Sequence, residues 1–178
     1  MNKIDGLDRL LRKFGNLNDV VSDSAFMRIL DEANKGIVQA DAKLNAPVND
    51  DELRNSIKTS VDKISTGFRA ATYTNKAYAG YNEFGTGPIG QENHEGISPE
   101  ANVSYAQHGW GIPADKVDAK DAEQYGWPKR TYNGKDYYMT SGQPARPFMY
   151  PALKNNEKKV RDRVAQEVAK KIYKVVKK

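Results

Sequence analysis

The chain has 178 residues and a net charge of +5, with 38% hydrophobic and 29% charged residues. It contains no cysteine, which excludes disulfides, zinc thiolate sites and cysteine nucleophiles. No apolar run approaches the roughly 20 residues that a membrane span needs, and no signal peptide is visible, so we expect a protein of a soluble compartment with no membrane partner. The low mean hydropathy of −0.79 indicates a thin core. A thin core in a chain with 10% aromatic residues suggests that some apolar surface is buried between subunits.

The positive charge is concentrated at the C-terminal end of the chain. Residues 154–178 contain ten basic and three acidic residues, a net of +7, which leaves −2 for the first 153 residues. Such a segment is either the solvated face of an amphipathic helix or a surface for nucleic acid or an acidic partner. The composition alone leaves both interpretations open.

Two helices are predicted in the N-terminal region, residues 1–44. Apolar residues recur at helical spacing from Ile4 to Phe14, and Gly15 follows as a stop signal. A second helix is predicted from Val20 to Leu44, with Asn18 or Ser22 as its N-cap. One face of this second helix carries small and aliphatic residues about four apart: Ala25, Ile29, Ala33, Ile37 and Ala40.

Strands are predicted in residues 45–86, after a turn at 45–50. Apolar and polar residues alternate from Leu53 to Val61, which indicates a half-buried strand. A second strand is predicted from Gly67 to Tyr73. The aromatic segment Ala77–Phe84, bounded by Gly85, is interpreted as a further strand or a turn.

Residues 87–142 are predicted to form an inserted arm or flap that packs on another surface. This stretch holds eight of the fourteen glycines and both tryptophans, and it sustains no helical period. Asn133-Gly134 predicts a hairpin near residues 130–139. The candidate interface residues of the arm are its large aromatic side chains: Trp110, Trp127, Tyr132, Tyr137 and Tyr138.

The last segment, residues 143–178, is predicted to form a helix that begins near Phe148 to Pro151, because proline is tolerated only in the first helical turn. The element order then favours an α+β fold. We expect a single domain, 1–178, with a small antiparallel sheet flanked by long N-terminal and C-terminal helices and the glycine- and aromatic-rich arm.

The sequence contains few motifs typical of catalytic, metal-binding or phosphate-binding sites. The two histidines, His94 and His108, lie in the arm, and with Glu92 and Glu95 they show no established metal-binding spacing. The glycines of residues 85–90 lack the lysine of a phosphate-binding loop, and we expect them to lead into the arm rather than a helix. We therefore predict no catalytic, cofactor-binding or metal-binding residue, no cofactor and no enzymatic activity.

Two features admit a binding role. Aromatic and basic residues interleave at 127–132, which suits either stacking on a single-stranded nucleic acid or a packed protein interface. The density of glycine and proline nearby favours the interface. Glu83 lies in the most aromatic part of the predicted fold and is interpreted as a structural carboxylate that accepts hydrogen bonds or pairs with an arginine.

Three segments resemble a known phage family when taken in order. They are residues 46–57 (APVNDDELRNSI), 78–86 (YAGYNEFGT) and 144–153 (PARPFMYPAL). This series, within residues 25–176 and outside most of the arm, resembles the tail-completion or head–tail joining family of long-tailed bacteriophages. Residues 49–51 (Asn-Asp-Asp) stand where the family pattern has Asp-Thr-Gly, so the turn before the first strand is expected to differ.

The resemblance implies a non-enzymatic virion protein of the neck, assembled in the host cytoplasm. Its expected partners are itself, as a homo-oligomeric ring of six copies, the head connector or adaptor proteins, and the tail terminator or tail-tube protein. The DNA channel is a further expected neighbour. A basic nucleic-acid-binding protein that uses the C-terminal helix is the alternative. The residues to which the resemblance gives a structural or interface role are Glu83, Phe84, Gly85, Thr86, Pro144, Arg146, Pro147, Phe148 and Pro151.

A specific contact is predicted between the second and third of these segments. Arg146 is fixed between two prolines, and Glu83 precedes Phe84 in the same aromatic region. We expect a partly buried Glu83–Arg146 ion pair that ties the two ends of the arm together.

Overall fold

The computed structural model describes residues 22–47 and 51–177. The helix predicted at residues 4–14 lies outside the described residues. The described elements are the helices α1 (Asp23–Asn34), a π-helical turn (Lys35–Gln39), α2 (Ala40–Asn45), α3 (Asp51–Ser56), α4 (Tyr78–Phe84), α5 (Gly87–Glu92), a 3₁₀ turn (Ala114–Lys116), α6 (Ala119–Gln124), α7 (Met149–Lys154) and α8 (Glu157–Val176), with strands β1 (Lys58–Ile64), β2 (Gly67–Tyr73), β3 (Trp110–Pro113), β4 (Lys129–Tyr132) and β5 (Lys135–Thr140). The presence of both helices and antiparallel strands confirms the α+β class.

The chain divides into two compact units. The first takes its described residues from the ranges 1–75 and 151–178, and the second comprises residues 76–150. The predicted arm 87–142 lies inside the second unit. The expectation of a single domain stays a prediction.

The first unit begins with one continuous helical rod, made of α1, the π-helical turn and α2. The Ser22 hydroxyl accepts a hydrogen bond from the Ala25 amide (3.4 Å), which confirms Ser22 as the N-cap. The wider turn inserts one residue into the helical repeat. The buried row therefore passes from Ala33 to Val38 and Ala42, and not to Ile37 and Ala40 as the spacing predicts.

The strands β1 and β2 form an antiparallel hairpin in register from Lys58↔Tyr73 to Ile64↔Gly67. The predicted bounds of β2 are confirmed. The strand predicted from Leu53 to Val61 is confirmed from Lys58 onward and wrong before it, because residues 51–56 form α3. Leu53 and Ile57 are buried one helical turn apart, whereas Asn55 is exposed. Asp51 and Glu52 lie in the first turn of α3, where their charge favours the helix dipole.

The sheet of the first unit is tied to α1 by polar contacts. The Asn34 side chain donates to the Ala71 carbonyl (3.1 Å), and the Thr59 hydroxyl donates to the Asp31 carboxylate (2.8 Å). Lys35 donates to the same carboxylate (2.6 Å). The hydrogen bond from Lys35, opposed by desolvation and helped by that from Thr59, lowers the pKa of Asp31 below its ordinary value.

Asp31→Asn is expected to lower the free energy of unfolding at pH 7 by up to about 1 kcal/mol. A carboxyl group whose pKa is depressed by folding stabilises above its unfolded pKa, and this contribution is lost as the pH falls through the folded pKa. The difference from the unmodified chain should therefore shrink below about pH 4. Urea unfolding at pH 7 and pH 3 measures it, with Asp62→Asn, an exposed carboxylate on β1, as the control. An equal loss at both pH values would contradict the assignment.

The C-terminal part of the first unit contains α8, which packs on α1. A helix starts at Met149, as predicted, but it ends at Lys154, and α8 starts at Glu157. The buried Asn156 side chain at this break donates to Asp41 (2.6 Å) and to the Ala152 carbonyl (2.9 Å). None of the 20 residues of α8 is buried.

The second unit contains the short helices α4 to α6 and a three-stranded antiparallel sheet in the order β3-β5-β4. Asn133 and Gly134 both have positive φ (48° and 72°), so the predicted hairpin turn is confirmed. The segment predicted as a strand or turn before Gly85 is instead the helix α4, which Gly85 ends with a φ of 75°. Within the part of the chain that the structure describes, no helix is long and apolar enough to cross a membrane.

Candidate functional site

The carboxylate of Glu83 caps the first turn of α7. Its Oε2 accepts hydrogen bonds from the amides of Phe148 (2.8 Å) and Met149 (2.9 Å), and its Oε1 accepts one from the Tyr150 amide (2.9 Å). The first amides of a helix have no acceptor within the helix, and a negative charge there also favours the helix dipole. Glu83 is only 6% exposed, so these three amides have little access to water.

The predicted Glu83–Arg146 ion pair is wrong. Arg146 is exposed, and its backbone amide donates to the Asn82 carbonyl (2.7 Å). Pro147 has no amide hydrogen, and the three amides that follow it are those that donate to Glu83. The carboxylate is therefore satisfied by main-chain donors. The side chain of Phe148, at this same position, is fully buried.

A second connection joins Thr86 to Gln143. The Thr86 amide donates to the Gln143 carbonyl (2.9 Å), and the Gln143 amide donates to the Thr86 carbonyl (3.1 Å). Gly142 has a φ of 97°, and a Cβ atom there would lie 1.8 Å from the Thr86 carbonyl oxygen. This close approach requires glycine.

The structure therefore brings together the second and third motif segments. Glu83, Gly85 and Thr86 meet the chain around residues 142–150. Pro151 lies in the first turn of α7, where proline is tolerated. Phe84 is half-buried, Pro147 is half-buried and Pro144 is exposed. The interface role of these residues stays a prediction.

An open cavity of about 740 Å³ lies in the second unit and is called here the aromatic groove. Its aromatic side chains are Tyr81, Phe84, Tyr105, Trp110 and Trp127, and within the described ranges its lining contains no charged residue. Tyr81 is 60% exposed and Trp110 is 37% exposed. The groove therefore presents a neutral, aromatic surface to solvent.

Tyr105 links the groove to α4. Its hydroxyl donates to the Phe84 carbonyl (2.9 Å), and its ring stacks on His94 with 5.8 Å between centroids. Burial raises the pKa of the Tyr105 phenol. The position of Tyr105 is not predicted from sequence, since it lies in a loop without a repeating pattern.

Only two of the five predicted arm residues, Trp110 and Trp127, line the groove. Tyr132 and Tyr137 line a separate hollow of about 370 Å³ beside Arg130 and Met139, and Tyr138 lines neither. In an antiparallel sheet, successive side chains point to opposite faces, which separates Tyr137 from Tyr138. Their interface role also stays a prediction.

The residues considered for metal or phosphate binding do not form such a site in the described part of the chain. Among the described residues, no group of three histidine, aspartate or glutamate side chains could hold a metal ion. The expectation that residues 85–90 lead into no helix is wrong, because α5 begins at Gly87. The amides of Ile89 and Gly90 donate to the carbonyls of Ser141 and Thr86, however, so they are not available for a phosphate.

Residues 8–85 of the chain match the model of a protein family. The match covers less than half of the chain, and it indicates similarity to a tail component of a phage. The family is described as "Bacteriophage HK97-gp10, putative tail-component", and the match confirms the resemblance to phage tail and head–tail joining proteins. The matched range ends at Gly85 and includes the first motif segment and Glu83. No curated protein and no solved structure matches the chain.

Proposed function

We propose that this chain is a structural subunit of a homo-oligomeric ring of six copies in the neck of the virion. The ring completes the tail and joins it to the head connector or adaptor proteins on one side and to the tail terminator or tail-tube protein on the other. The family match of residues 8–85 supports the tail assignment. The role is mechanical, and its chemistry is that of protein interfaces.

The observation that carries the ring proposal is the partly exposed apolar surface of α8, where the Lys177 ammonium lies 4.9 Å from the centroid of the Tyr173 ring. This helix has 20 residues and none is buried, although it packs on α1. Tyr173 and Val176 are 58% and 55% exposed. Apolar area that remains exposed in one copy is typical of surfaces that associate with other proteins.

The expected result is that the purified chain forms a discrete species of six copies, either alone or after mixing with the connector or tail-tube protein of the same phage. Light scattering on a sizing column and native mass spectrometry measure the mass. The expected mass is six times the 19.9 kDa of the chain, plus that of any bound partner. A chain that stays monomeric at every concentration and binds neither protein would contradict the proposal.

The alternative, a nucleic-acid-binding protein, is favoured by the exposed cations in the last turns of α8, among them Lys170, Lys174 and Lys177. Binding through phosphate contacts should weaken linearly in a plot of log affinity against log salt, with a slope close to the number of contacts. Ring assembly through apolar surfaces should lack this steep dependence. Titration of the chain with duplex and single-stranded DNA from 50 to about 300 mM salt separates the two functions.

A further inference from the structure

We infer that the C-terminal half of α8 of one copy docks in the aromatic groove of a second copy. The inference rests on the proposed ring and names its subunit interface. It joins two different surfaces of the same chain, a helix face in the first unit and a groove in the second. Such a head-to-tail contact leaves one free surface of each kind on every dimer, so further copies add, and a ring forms where the rotation between copies closes.

The C-terminal half of α8 carries apolar residues that stay exposed or half-buried. Apolar residues occur there at i, i+3, i+4, i+7, i+8 and i+11: Ala165, Val168, Ala169, Ile172, Tyr173 and Val176. The half-buried members are Val168 and Ile172, whereas the other four are exposed. This spacing is that of an amphipathic helix that lies in a groove, with Tyr173 and Val176 as its anchors.

The groove suits the apolar face of a helix. Its lining has five aromatic side chains and, within the described residues, no charge. Its volume of about 740 Å³ holds a few large side chains. Aromatic side chains such as Tyr173 are the residues that most often anchor protein interfaces.

The charges around the two surfaces are complementary. Residues 80–143, which include the whole lining of the groove, contain nine acidic and five basic residues, a net of −4, and Glu83 is the buried one among these acidic residues. Residues 157–178 contain nine basic and three acidic residues, a net of +6. Opposite charges of this size steer two copies together and disfavour helix-to-helix or groove-to-groove contacts. This complementarity selects a second copy of the chain as the occupant.

The test uses one variant of each surface in the full chain. Tyr173→Lys removes the helix anchor, and Tyr81→Lys places a charge in the groove at an exposed position. Each variant alone should shift the concentration at which the ring forms upward by at least about tenfold, the effect of losing one interface anchor. The two matched controls are Glu157→Gln, which makes the same charge change at an exposed position near the start of α8, and Tyr73→Lys, which makes the same substitution at an exposed position on β2. Both controls should assemble like the unmodified chain.

Mixing the two variants in equal amounts gives the decisive measurement. Only one productive pairing remains, the intact helix of the Tyr81→Lys copy with the intact groove of the Tyr173→Lys copy. The mixture should therefore form a species of two chains and no ring. If the variants assemble normally, or if the mixture stays monomeric, the inference is wrong while the ring itself stands. If the unmodified chain never assembles, the proposed function fails first.

Discussion

Glu83→Ala is expected to destabilise the protein by about 3–5 kcal/mol. The substitution leaves the amides of Phe148, Met149 and Tyr150 without their acceptor, the first buried and the other two half-buried, and each unpaired buried donor costs about 1–3 kcal/mol. Loss of the negative charge at the start of α7 adds to the effect. Urea unfolding with the midpoint and slope fitted separately measures the loss.

Three further variants separate the cap from other roles of this carboxylate. Glu83→Gln keeps the shape of the side chain and one oxygen acceptor, but its NH2 group faces at least one of the three backbone amides. It should therefore lower the free energy of unfolding less than Glu83→Ala does. Arg146→Ala should change the free energy of unfolding by less than about 0.5 kcal/mol, as surface substitutions do. Glu92→Ala, an exposed glutamate on α5, should be equally mild. If Arg146→Ala were as damaging as Glu83→Ala, an ion pair would be the better account.

Gly142→Ala is expected to cost about 3 kcal/mol or more and to open the connection between Thr86 and Gln143. The added Cβ would lie 1.8 Å from the Thr86 carbonyl oxygen and 2.5 Å from its carbon, so the backbone must move. An alanine at a φ of 97° is also strained by about 1–2 kcal/mol. Faster hydrogen exchange at the Thr86 and Gln143 amides, together with urea unfolding, measures both effects.

Gly134→Ala is the matched control for this substitution. Gly134 also has a positive φ (72°), but a Cβ there meets nothing within 4 Å. It should therefore show only the conformational cost, about 1–2 kcal/mol, with unchanged exchange at Thr86. Equal losses for the two glycines would mean that the contact with Thr86 contributes nothing.

Local patterns predicted the long elements of the fold and missed the short ones. Asn133-Gly134 specifies its own turn, and Ser22 provides an N-cap within three residues of its donor. Leu53 and Ile57, in contrast, fit both an alternating strand and a single helical turn, so a six-residue helix was assigned as a strand. The π-helical turn moves the buried row of the first helix by one residue, and no feature of the pattern marks that insertion.

The candidate site was predicted only as a set of motif residues. Glu83 was identified as a structural carboxylate, but its partners are backbone amides 65 to 67 residues away. Because every residue except proline carries such an amide, side-chain patterns cannot point to them. A charged side chain such as Arg146 is the partner that a sequence makes visible, which is why the ion pair was expected. The groove combines short, separate segments, and Tyr81, Phe84 and Tyr105 have no shared periodicity.

The Glu83 cap also sets which positions tolerate substitution. Its acceptor is one particular side chain, whereas its donors belong to the peptide backbone. At Met149 and Tyr150, a saturation library should retain the contact with any residue but proline, while at position 83 even aspartate, one methylene shorter, should fail to span the distance. Position 83 should therefore tolerate far fewer substitutions than positions 149 and 150. Exposed residues of α7 such as Leu153 should therefore change without loss of the contact, as long as the single carboxylate of Glu83 stays.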